Sequence, residues 1–181
     1  MRSLCFPVSY CDRTLLLLLR TFLDIIALRK GPEDIPDSWL LLVLSVALMI
    51  FASFSATVLI EALAAQDFRL TFLANVLGLM FYGAVLFVSG HSRRLVRALT
   101  SIIGCGAILT FLFVAEFVLF QPFLGAGVAG AIAALIVLWS VPVEGHVISR
   151  AIERHWFVGI AIAVAAFILQ LGFQSVFSAR S

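Results

Sequence analysis

Residues 39–60 run for 22 positions without a formal charge. A helix of that length rises about 33 Å, enough to cross a hydrocarbon core about 30 Å thick. The pattern returns at 70–89, 99–120, 124–143 and 156–177, and within these runs the single formal charge is Glu116. Composition agrees: 63% of the 181 residues are hydrophobic and 12% are charged, against about 25% charged in an ordinary soluble domain. So little charge cannot cover a water-soluble globule. The chain is read as an integral membrane protein with no room for a separate soluble domain.

The expected fold is all-α, a polytopic transmembrane helix bundle of five spans plus an N-terminal amphipathic helix. Residues 39–181 form the transmembrane domain, with spans at about 39–60, 70–89, 99–120, 124–143 and 156–177. Residues 1–38 form a cytoplasmic or interfacial segment. Within 12–30, Arg13, Arg20 and Asp24 fall within about 40° of one another on a helical wheel, and leucine, isoleucine and phenylalanine fill the rest. That helix is too interrupted to span and is expected at the membrane surface or beneath the bundle. Gly31-Pro32 should end it. The run 15–19 is too short before Arg20, and no small-residue cleavage site follows, so no cleavable signal is expected. Spans three and four are joined by Gln121-Pro122-Phe123 alone, which predicts a tight antiparallel hairpin turning at those residues.

Basic residues orient the array. Arg2, Arg13, Arg20, Arg29, Lys30, Arg93, Arg94, Arg97, Arg150 and Arg154 fall on one side, and Arg69 and Arg180 on the other. The positive-inside rule puts the first set in the cytoplasm, the amino terminus inside and the carboxy terminus outside, as in a bacterial inner membrane. These cations sit at span boundaries and form no stripe, which argues against nucleic acid. Small residues spaced by four, Gly127 with Ala131, Gly130 with Ala134 and Gly159 with Ala163, mark close helix approach, within the monomer or at a homo-oligomer seam.

Ionisable groups inside a span are costly and demand a reason. Glu116 is the clear case, about 7 Å by helical rise from the outer end of span three, with Gln121 and Asn75 as possible companions. Residues 142–155 form a polar inner segment in which Glu144, His146, Arg150, Glu153 and Arg154 are a candidate cytoplasmic interaction face. His146, Arg150 and Glu153 share helical spacing. His146 and His155 are nine apart, on opposite sides of a helix, so they cannot share one metal ion. Arg93, Arg94 and Arg97 are candidate contacts to anionic lipid. Cys5, Cys11 and Cys105 lack metal-type spacing. There is no paired-histidine zinc helix, phosphate-cradling glycine loop, serine elbow or dinucleotide fingerprint, so neither enzyme activity nor a cofactor is expected.

The cytoplasmic amino-terminal stretch, the polar turn Gly31-Pro32-Glu33-Asp34-Ile35-Pro36 before the first span and five closely packed spans resemble the bacterial Yip1-like membrane proteins. The resemblance covers roughly residues 10–178, and the glycine-tyrosine signatures of the eukaryotic members are absent. It implies a non-enzymatic protein that organises or escorts other membrane components through protein or lipid contacts. The alternative is a small transporter or channel subunit using Glu116.

Overall fold

A computed structural model describes the backbone of residues 8–60 and 68–178 and the side chains of 16–60 and 68–177. It is all-helical over the described residues: α1 (Val8–Ile26), α2 (Trp39–Leu59), α3 (Phe68–Val88), α4 (Leu95–Ala151) and α5 (Trp156–Ser178), with short 3-10 turns at Pro32–Asp34 and Ser92–Arg94. Four helices, α2 to α5, are long and apolar enough to cross a membrane.

The 57 residues of α4 do not form one rod. Gly125, at φ 78° and ψ 159°, breaks the helix, and this backbone region is open essentially to glycine alone. The chain doubles back there, because Arg94 at the start of α4 donates from Nη1 to the carbonyl of Ala151 at its end, 3.5 Å away. The limbs 95–124 and 126–151 are therefore antiparallel, about 45 and 39 Å long by helical rise. The turn falls at Gly125 rather than at Gln121-Pro122-Phe123, and Pro122 stays within the first limb. The second limb also runs through Pro142 to Ala151 instead of stopping at Val143. Residues 145–149 are buried in the bundle, so the expected surface segment there is part of the core.

α1 ends at Ile26, short of the expected Lys30, in a turn where Leu28 adopts φ 59°. The amide of Arg29 reaches the carbonyl of Asp24 and that of Leu28 reaches Ile25, the paired bonds of a Schellman cap with leucine where glycine is usual. Ile25 is fully buried, and the Phe22 ring lies against Gly104, where any Cβ would strike it. The indole of Trp139 donates to the carbonyl of Ile26 at 3.1 Å. The end of α1 thus lodges between the two limbs of α4, while Leu16, Leu17, Leu19 and Leu23 stay exposed.

The main core lies at this end, built from Ile25, Tyr82, Leu86, Ile102, Val147 and Ile148. Elsewhere the outer surface is apolar, with Leu40, Phe54, Phe87, Leu135, Phe157 and Ile168 among the exposed side chains. A water-soluble monomer does not carry such a surface, and lipid is its natural solvent. Hydroxyls in the helices bond back one turn, as Thr110 does to Gly106 at 2.8 Å and Thr57 to Ser53 at 3.0 Å. That satisfies them where no water reaches.

Candidate functional site

The hairpin of α4, together with α2, α3 and α5, lines a half-open cavity of about 350 Å³. Each element contributes polar groups: Ser53 and Thr57 from α2, Thr71 and Asn75 from α3, Thr110 and then Ser140 and Glu144 from the two limbs of α4, and Gln170 from α5. Phe68, Phe113, Phe167 and Met49 supply apolar and aromatic wall. Helical register explains the convergence on the second limb, since Ile136, Ser140 and Glu144 are spaced by four and share one face.

Among the described residues Glu144 is the one ionisable lining residue. Oε2 of its carboxylate accepts from the Tyr82 hydroxyl at 2.5 Å, and Tyr82 itself is 1% exposed in the wall of α3. Among the described residues Tyr82 is the only hydrogen-bond partner of that carboxylate and no cation is paired with it. The arrangement fixes the orientation of the carboxylate and leaves its charge available to something that enters the cavity.

Two of the five residues assigned to an inner interaction face therefore do other work. Glu144 faces the interior, and His146, 8% exposed, uses Nε2 to donate to the carbonyl of Lys30 at 3.0 Å, clamping the turn after α1. Arg150, Glu153 and Arg154 remain exposed at the end of the bundle. Of the candidate lipid contacts, Arg94 and Arg97 line a groove with Arg150 and Arg154, while Arg93 is exposed outside it. Glu116 is buried, at 6% exposure, and neither carboxylate oxygen has a hydrogen-bond partner among the described residues. Asn75 lines the cavity and Gln121 is partly exposed near the bend, so no hydrogen bond joins the three. Glu61, Gln66 and Asp67, read as a solvated outer loop, lie outside the described residues.

Of the spaced small residues, Gly159 meets the backbone of Gly145 within the chain and Ala163 is fully buried. Gly127 and Gly130 face open space. Cys105, a free thiol at 1% exposure, sits in the core beside Phe22.

The uncharged run of span four closes at Val143, so the sequence places Glu144 just outside the span and misses it as an interior acid. Pro142 is tolerated inside the helix, and extending the register of Ser140 by four residues would have found the site. Comparison with known proteins supplies no relative: no family model matches the chain, and no curated protein or solved structure matches it.

Proposed function

We propose that this protein is a small membrane carrier whose interior cavity binds an organic cation against the Glu144 carboxylate. The carrying observation is that, among the described residues, a single acid lines a polar-dotted, aromatic-walled cavity to which every candidate spanning helix contributes. A carboxylate in a site of low dielectric attracts a cation far more strongly than in water, and Phe68, Phe113 and Phe167 give the wall aromatic surface of the kind that attracts an ammonium group. At about 350 Å³ the cavity lies in the size range of sites for small ligands. Among the described lining residues there is no histidine, cysteine or lysine to act with the acid, which favours binding over catalysis.

The proposal takes five membrane crossings, with each limb of α4 as one crossing. Arg29, Lys30, Arg93, Arg94, Arg97, Arg150 and Arg154 then lie at the inner side of a bacterial inner membrane. The limbs of α4 exceed the hydrocarbon thickness of about 30 Å by about 15 and 9 Å, so their ends at Leu95 and Ala151 project into the inner headgroup layer. α1 then lies against the bundle near that boundary with its exposed leucines in lipid, as an amphipathic element. Reporter fusions give the topology, and a carboxy terminus on the cytoplasmic side contradicts it. In proteoliposomes, uptake of a small quaternary amine is expected from the native protein and not from Glu144→Gln; equal uptake removes the carrier reading.

A second reading, a protein that organises membrane partners as the Yip1-like resemblance implies, is favoured by the exposed Arg150, Glu153 and Arg154. Arg150 and Glu153 are already paired within the chain, to Glu33 and Arg94, so reversing their charge breaks internal contacts as well. Arg154→Glu is the cleaner probe: loss of a copurifying protein supports this reading, and an unchanged set of copurifying proteins opposes it.

A further inference from the structure

The same fold-back that builds the cavity gathers arginines from distant parts of the sequence. Arg94 and Arg97 open α4, and Arg150 and Arg154 flank its other end. With Pro32 and Glu33 from the turn after α1, they line a groove of about 430 Å³. Its cover is fixed rather than loose: His146 holds the carbonyl of Lys30, and the amide of Gly31 donates to Asp34 at 3.3 Å.

The charges in the groove do not cancel. Four guanidinium groups face two carboxylates, Glu33 and Glu153. Arg150 bonds to Glu33 at 3.3 Å, and Arg94 pairs with Glu153. Arg97 has only a long ion pair and Arg154 has none among the described residues. The nearest carboxylate oxygen to Arg97 is that of Asp37, 3.9 Å from Nε, too far for a hydrogen bond, and this buried Nε has no partner among the described residues. An unmet guanidinium donor beside an excess of positive charge is suited to a group that presents several anionic oxygens at once.

We propose that this groove binds a phosphate group, held chiefly by Arg97 and Arg154. The group belongs either to the headgroup of an anionic phospholipid or to a free phosphate. The site is separate from the Glu144 cavity and does not depend on what that cavity carries. Glu33 and Glu153 act as internal competitors for Arg150 and Arg94, so a ligand that recruits those two arginines must displace their ion pairs.

The test uses the full chain purified in a maltoside detergent, which brings no phosphate of its own. Short-chain phosphatidylglycerol and inorganic phosphate are titrated separately, with thermal unfolding and intact-complex mass spectrometry as readouts. Saturable stabilisation by either probe is expected, weakened at least about tenfold in Arg97→Gln/Arg154→Gln and unchanged in Arg93→Gln, which lies outside the groove. Glu33→Gln should bind several-fold more tightly by freeing Arg150, and this gain cannot come from damage to the fold. Much tighter binding of the lipid identifies the headgroup as the source; equal or tighter binding of inorganic phosphate identifies a soluble one. No binding of either probe, or binding that neither the double variant nor Glu33→Gln alters, overturns the proposal.

Discussion

Tyr82 of α3 donates its hydroxyl hydrogen to Oε2 of Glu144, 62 residues further along the chain in the second limb of α4, across 2.5 Å. This bond joins two helices inside an apolar bundle, and it orients the one acid that lines the cavity among the described residues. Removing the hydroxyl with Tyr82→Phe leaves the carboxylate without a described partner. Interhelical hydrogen bonds in membranes are worth about 0.6 kcal/mol on average and up to about 1.7 kcal/mol. A double-mutant cycle with Glu144→Gln, read by reversible unfolding in mixed micelles, should give a coupling in that range. A coupling of zero would mean that the two side chains are neighbours without an energetic bond.

The crossing of α4 and α5 depends on absent side chains. A Cβ on Gly159 would sit 2.0 Å from the carbonyl oxygen of Gly145, and one on Gly145 would sit 2.9 Å from the Cα of Ile160. Backbone cannot swing aside as a side chain can, so Gly159→Ala should destabilise the protein by about 1–3 kcal/mol. Gly83→Ala, with nothing within 4 Å of the added carbon, should gain about 0.5–1 kcal/mol through helix propensity. The pair of variants separates packing from propensity under one unfolding assay.

Gly125 carries the other backbone requirement. Nothing lies within 4 Å of a Cβ built there, so any penalty comes from its φ of 78° alone. Gly125→Ala should cost about 1–3 kcal/mol, whereas Gly127→Ala, equally open but helical, should gain about 0.5–1 kcal/mol as at Gly83. If Gly125→Ala matches Gly127→Ala in unfolding, the chain turns elsewhere.

The turn after α1 has a pH signature. The hydrogen bond from Lys30, 3.0 Å from Asp24, holds the Asp24 carboxyl below its ordinary value of 3.8, against a weaker opposing effect of desolvation. A carboxyl lowered in the folded state adds stability that is fully present above the unfolded value and is lost as pH falls through the folded one. Docking of α1 should therefore loosen on the acid side of 3.8 and be indifferent to pH near neutrality. Trp139, bonded to the carbonyl of Ile26, reports it by fluorescence when Trp39 and Trp156 are replaced by phenylalanine. Asp24→Asn should remove this part of the acid transition; an unaltered transition would assign it to another group.

The helices themselves were legible because lipid demands long uncharged runs, and α2 and α5 match theirs to within a residue or two. Details that depend on backbone geometry were not. The link at Gln121-Pro122-Phe123 and the first charge after Val143 suggested helix ends, yet the chain turns at Gly125, and the second limb continues to Ala151. From that one misplaced boundary came the reading of Glu144 and His146 as surface groups. The arginine groove was visible only as two separate basic stretches, Arg93–Arg97 and Arg150–Arg154. Their meeting follows from the doubling back of α4, the antiparallel hairpin that the short link at 121–123 predicts, with its turn moved to Gly125 and its second limb extended to Ala151. Glu116 was the conspicuous acid because it interrupts an apolar run, but it sits apart from the cavity lining, where position relative to other helices decides.

The most direct measurement is calorimetric binding of benzyltrimethylammonium, a permanently charged probe, to the native protein in nanodiscs and to Glu144→Gln and Glu116→Gln. One saturable site is expected on the native protein, weakened at least about tenfold by Glu144→Gln and little changed by Glu116→Gln; for a buried charge contact about 1.4 kcal/mol is the least expected loss, and that is tenfold in affinity. Binding that survives Glu144→Gln, or that follows Glu116 instead, contradicts the assignment of the cavity as the cation site.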